Sequence, residues 1–165
     1  MQGYRREHAF AVARAIKARS QVPGNIYVFG KARSYKDFGR DIDLLVEVPE
    51  ETFRKFQRGC DTEGVDPISL QVSHLPGVSP DLFWSYFSPR EVRASVAFDV
   101  LRISRDEILN TDGMDISREA LDIICLPVGW NVSPLIEQLQ LKMSSHPRCD
   151  PNFMENLRDS VLLVE

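Results

Sequence analysis

Residues 29–47 read FGKARSYKDFGRDIDLLVE, and the order of residue types inside this stretch decides the fold. Its first two residues close "NIYVFG" (25–30), a run apolar on both faces, which predicts a strand covered on both sides. Its last seven open "DIDLLVEV" (41–48), a second run of strand length. Between the two runs lie Gly30 and the cations Lys31, Arg33, Lys36 and Arg40. Asp41 and Asp43 therefore stand at the mouth of an apolar strand, with positive charge beside them.

Outward from this centre the pattern alternates between helix and strand. "YRREHAFAVARAIKARS" (4–20) places Ala9, Val12, Ala13 and Ile16 on one helical face, and Val22-Pro23-Gly24 ends it. "PEETFRKFQRGC" (49–60) groups Phe53, Phe56 and Cys60 on one face of a short helix. Ile68–Val72 predicts a third strand, with Pro67 at its start, where a missing N–H is tolerated. Further along, Ser79-Pro80, Ser88-Pro89, Ser133-Pro134 and Asp150-Pro151 each pair a capping oxygen with proline at a first helical position. The segment 93–104 predicts a helix that turns to strand near Val96. "DISREALDIICL" (115–126) predicts a helix through Ile116, Ala120 and Ile123, and Phe153, Leu157, Val161 and Val164 predict another. The expected fold class is α/β (α+β): a small mixed sheet with flanking helices over residues 1–105 and a mainly helical section over 106–165, packed with the core or beside it.

The 165 residues suffice for one domain or a core with an extension, and 43% hydrophobic with 27% charged is an ordinary globular balance. A net charge of −4 argues against an extended nucleic-acid surface and leaves room for a small basic site. Arg14 cuts the apolar run "AFAVA" too short for a signal peptide, and no membrane span is expected. Three cysteines, far apart, fit a reducing, cytoplasmic setting better than a disulfide scaffold, and the three histidines add no zinc spacing. Cys60 and Cys125 sit on apolar faces and read as structural. The aromatic residues between Leu82 and Phe87 read as core, and His74 as a loop histidine.

The two aspartates carry the chemistry. Side chains alternate along a strand, so Asp41 and Asp43 point the same way, roughly 6–7 Å apart. Unpaired they would repel; a divalent cation between them resolves this, and hard oxygen ligands suit Mg²⁺ or Mn²⁺. Paired ions of this kind serve phosphoryl and nucleotidyl transfer. Gly30 allows close backbone approach, and the amides of the following residues can face phosphate if they form a helical turn.

Phe29, Gly30, Lys31, Ala32, Arg33 and Ser34, followed by Asp41-Ile42-Asp43 and an apolar strand, resemble the signature of the DNA polymerase β-like nucleotidyltransferases, in particular their minimal form. The resemblance covers about Ala9 to Leu75. It implies an enzyme that moves a nucleoside monophosphate from a nucleoside triphosphate to an acceptor, with Mg²⁺ or Mn²⁺ as cofactor. It makes Asp41 and Asp43 metal ligands and places the triphosphate on Gly30 and the residue after it, with Phe29, Lys31, Arg33 and Ser34 in the nucleotide-binding set. It also implies a third catalytic and metal-binding carboxylate on the next sheet strand, for which Asp66 is the candidate. If that strand is instead registered on "ISLQV", Ser69 or Gln71 takes the position and the third acid is missing. Lys31 replaces the family's serine; it either meets the phosphates as a point charge or folds onto the two acids and neutralises them.

Three functions follow. The first is a transferase with a protein as leading acceptor, in a toxin–antitoxin-like setting. The second is an inert module of the same fold, kept for binding or regulation. The third is a small-molecule transferase of the antibiotic-modifying type.

Overall fold

The computed structural model describes residues 3–36, 38–60, 90–128 and 159–165. The expectations for Asp66, Ile68–Val72, His74, the aromatic set from Leu82, the four proline-led helix starts, and Phe153 and Leu157 of the last helical face lie outside the described residues. Within the described residues the chain is a mixed α+β protein, with helices flanking a four-stranded sheet.

The first helix, α1 (Arg6–Arg19), forms on the expected face: Ala9, Val12, Ala13 and Ile16 are all fully buried. It stops where Ser20 turns extended, and the Lys17 ammonium then donates to the carbonyls of Pro23 (2.8 Å) and Gly24 (2.7 Å), pinning the chain as it heads into the sheet. Strand β1 (Ile26–Phe29) runs antiparallel to β2 (Ile42–Val48), with Ile26 opposite Val46 and Phe29 opposite Asp43. Six of the seven β2 residues are buried, as a run covered on both faces requires.

Helix α2 (Glu50–Cys60) buries Phe53, Phe56 and Cys60, the face its spacing predicts. It packs on α3 (Arg90–Leu101). The approach is so close that a Cβ on Gly59 would lie 2.5 Å from a methyl group of Val96. Helix α3 continues unbroken through Val96, where a change to strand was expected. Its buried residues Ala94, Ala97, Phe98 and Leu101 keep the three- and four-residue spacing of a helix, and that stripe packs on the sheet. A short helix, α4 (Arg105–Leu109), follows, capped by the Ser104 hydroxyl.

The segment 115–126 corrects the helical reading. Arg118–Ala120 is a single 3₁₀ turn, and Leu121–Pro127 is strand β3, parallel to β2. Every residue from Leu121 to Leu126 is buried. In such a run helical and extended periodicities coincide, and the pairing with β2 decides the conformation. Val161 and Val164 belong to strand β4 (Val161–Val164), antiparallel to β1, where a helix was expected. The sheet order is β3-β2-β1-β4, so strands from both sides of Arg105 share one sheet. Helix α1 packs against β1, β2 and β4, and α3 against β3. Phe53, Phe56, Ile16, Ile26, Leu44 and Ile123 are among the largest fully buried side chains, each contributing about 1.5–3 kcal/mol of burial. Cys60 and Cys125 are both buried, as the apolar faces that carry them require. No helix among the described residues is long and apolar enough to cross a membrane.

Candidate functional site

Strand directions gather the site. Because β1 is antiparallel to β2 and β2 is parallel to β3, the end of β1 and the beginnings of β2 and β3 share one edge of the sheet. Gly30–Arg33 forms a 3₁₀ turn at that edge. Gly30 has φ of +71°, a conformation that side chains disfavour, and a Cβ there would come 2.7 Å from Oδ2 of Asp43. The glycine is required twice over: for the turn itself and for the space beside the carboxylate.

Asp41 and Asp43 face the same way, because one guanidinium grips both. Arg90, the first residue of α3, places Nη1 2.9 Å from Oδ2 of Asp41 and donates from Nη2 to Oδ1 of Asp43 at 3.3 Å. A third acid joins them from β3. Asp122 is the register partner of Asp43, so the two side chains leave the same face of adjacent strands, about 4.8 Å apart in the sheet. Arg93 holds Asp122 through a two-point contact, Nε donating to Oδ1 (3.2 Å) and Nη2 to Oδ2 (2.7 Å). This pair is buried, at 9% and 4% side-chain exposure, whereas Arg90 and Asp41 remain 31% and 38% exposed. Arg90 and Arg93 stand three residues apart on α3, so one face of that helix delivers both cations.

Two guanidinium groups facing three carboxylates leave one negative charge in excess. Burial pushes the Asp43 carboxyl up to about 7; the charges of Asp122 and Asp41 push in the same direction, against Arg90 and Arg93. Among the described residues the buried Nε of Arg90 has no hydrogen-bond partner, an arrangement that costs about 1–3 kcal/mol. The acids are therefore under-compensated, and the cation that partly neutralises them is incompletely satisfied.

The other expected site residues divide by role. Phe29 is 2% exposed and belongs to the core, leaving its backbone at the site. Lys31 is exposed and makes no ion pair among the described residues; the cation folded onto the acids is Arg90 instead. Arg33 braces the turn: its Nε donates to the Gly30 carbonyl (2.9 Å) and its Nη1 to that of Asp159 (3.0 Å), tying the turn to the segment leading into β4. The Ser34 hydroxyl accepts from the Lys36 amide at 3.1 Å. Asp66 lies outside the described residues.

Two clefts meet here. One, about 520 Å³, is lined by Gly30, Lys31, Phe38, Arg40, Asp41 and Asp43. The other, about 510 Å³, takes Arg6, Lys31, Arg33, Ser34, Phe38 and Val161. Gly30, Lys31 and Phe38 line both, so the recess that carries the two aspartates adjoins a basic one across them. Each is of the size that holds a small ligand.

Among the described residues no group of three or more His, Cys, Asp or Glu side chains is arranged to hold a metal ion. The chemistry of the donors nevertheless fits a hard divalent cation: three carboxylates at one sheet edge, with excess negative charge and the Gly30 cradle against Asp43. The present arrangement gives all three carboxylates to guanidinium groups, Asp41 and Asp43 to Arg90 and Asp122 to Arg93.

Asp122, Arg90 and Arg93 escaped the sequence reading. Asp122 had a signal: Asp122-Ile123-Ile124 repeats the acid-before-apolar-run pattern of Asp43-Leu44-Leu45. The two arginines had none, since each alone reads as a solvated surface cation. Compared with known proteins, the chain matches no family model, no curated protein and no solved structure.

Proposed function

We propose that this protein is a metal-dependent nucleotidyltransferase that moves a nucleoside monophosphate from a nucleoside triphosphate to an acceptor hydroxyl, with a protein as the leading acceptor class. One observation carries the reading: Asp122 stands in parallel register beside Asp43, at the sheet edge where the Gly30 turn and Asp41 also lie. Helix, strand, glycine turn, Asp-x-Asp strand and a neighbouring strand bearing a third acid then follow in the order the sequence resemblance implies. This reading gives Asp122 the role for which Asp66, outside the described residues, was the sequence candidate.

In this reading Asp41 and Asp43 would hold the cation, with Asp122, kept by Arg93, as the third acid beside Asp43; the cation would supply charge neutralisation for the triphosphate and the developing pyrophosphate. Gly30 brings the backbone up to the phosphates, and the Lys31 ammonium stands between the two clefts as a point charge for them. Arg33 keeps the turn in shape through the Gly30 carbonyl. The acceptor oxygen attacks the α-phosphorus, the bond to the bridging oxygen of the β-phosphate breaks, and pyrophosphate leaves. The acceptor proton passes to a carboxylate at this edge or to water.

The test is incubation with each α-labelled nucleoside triphosphate, Mg²⁺ or Mn²⁺, and cell lysate. Transfer of label to a protein, lost in Asp43→Asn, supports the reading; absence of transfer with every nucleotide overturns it.

A second reading rests on a specific contact. With Arg90 across Asp41 and Asp43, and Lys31 in the serine position, the fold would serve as an inert binding module with a guanidinium in place of the ion. That module would fold normally, label nothing and show the same cation affinity in Asp43→Asn.

A further inference from the structure

The two arginines of α3 hold their acids in different ways. Arg93 meets Asp122 in a buried two-point contact that satisfies both carboxylate oxygens. Arg90 divides its fork between two different carboxylates, stays partly open to solvent, and leaves its Nε without a partner among the described residues. A planar guanidinium that spans two carboxylates fills the space between them, which is where a shared divalent cation would sit. The anchoring of Arg93 three residues along fixes the helix, so Arg90 can leave by rotating its own side chain while α3 stays in place.

We propose that Arg90 is a built-in stand-in for the cation: it occupies Asp41 and Asp43 while no divalent ion is bound and swings out when one enters, whereas Arg93 remains and positions Asp122. The inference rests on the reading of the acids as a cation site and adds its regulation. Arg90 and the cation compete for the same oxygens, so the affinity of the free protein is reduced by the fraction of time that Arg90 is away.

The experiment is a titration of the full chain with Mn²⁺ alone, followed by calorimetry or by the electron-spin signal of free Mn²⁺. The proteins compared are the wild type, Arg90→Gln and Asp43→Asn, with circular dichroism reporting that each is folded. Arg90→Gln is expected to bind Mn²⁺ about tenfold tighter than wild type, and Asp43→Asn to lose binding. Where Arg90→Gln does not fold, Arg90→Met carries the test, because it keeps the aliphatic stem without the charge and should also tighten binding. Equal or weaker binding by the folded variant overturns the stand-in, as does the absence of Mn²⁺ binding in every protein. Equal binding with nucleotidyl transfer intact removes the stand-in and leaves the transferase reading. Tighter binding in Arg90→Gln without transfer by any protein does the reverse.

Discussion

Asp43→Asn should make the metal-free protein more stable at neutral pH, although it removes a member of an ion pair. The Asp43 carboxyl is raised from 3.8 to about 7, by burial first and by Asp122 and Asp41 next. Below about pH 4 the carboxyl is protonated in both the folded and the unfolded chain. Between about 4 and 7 the folded chain keeps a proton that the unfolded chain has lost, so stability falls as pH rises, and above the folded value it levels off. Roughly three pK units at 1.36 kcal/mol each amount to up to about 4 kcal/mol lost between pH 4 and pH 8. Asparagine is neutral throughout and mimics the protonated acid, while Arg90 keeps Asp41 as its partner at 2.9 Å. Urea unfolding of both proteins in the presence of a chelator, at pH 4, 6 and 8, measures the difference, since every other group titrates in both. The two should agree near pH 4 and diverge in favour of Asp43→Asn by pH 8. Parallel pH profiles would refute the placement of Asp43 beside Asp122 in a buried, under-compensated site.

Other perturbations test the remaining contacts. Arg93→Met strands Asp122, a residue 3% exposed, and should cost about 3–5 kcal/mol in urea unfolding. Adding Asp122→Asn to that variant should restore part of the loss, as expected for coupled partners. Gly30→Ala should cost about 1–2 kcal/mol from its positive φ alone. Displacement of the Asp43 carboxylate should also weaken Mn²⁺ binding, read in the same titration. Arg33→Ala frees both the Gly30 and the Asp159 carbonyls, and should cost about 1–2 kcal/mol with faster amide hydrogen exchange in β4.

The half of the site built by local sequence was legible, and the half built by distant pairing was not. Gly30, Asp41 and Asp43 stand where the two apolar runs and the loop between them place them, because adjacent antiparallel strands leave a connecting turn little freedom. The helical faces of α1 and α2 were equally plain, since Ala9, Val12 and Ile16 and then Phe53 and Phe56 keep one helical spacing with polar residues opposite. Leu121–Pro127 was misread because Ile116, Ala120 and Ile123 also fall at helical intervals. What makes it a strand is parallel pairing with β2, some eighty residues earlier in the chain. Val161 and Val164 failed similarly: in four residues a spacing of three suits either conformation, and the pairing with β1 settles it. Folding onto the acids was one of the two roles open to Lys31, the other being contact with phosphate. Arg90 takes the first role instead, because α3 packs on β3 and aims its first turn at the sheet edge, a tertiary fact with no trace in "REVRA".

The parallel pairing that sets Asp122 beside Asp43 is the centre of the account, and nucleotidyl transfer by Asp122→Asn and Asp66→Asn tests it most directly. With Mg²⁺, labelled nucleoside triphosphate and acceptor, and with folding verified by circular dichroism, Asp122→Asn should lose transfer at least a hundredfold, on the scale of removing a group that stabilises the transition state, while Asp66→Asn retains it. Full activity in Asp122→Asn, or its loss in Asp66→Asn alone, would contradict the assignment.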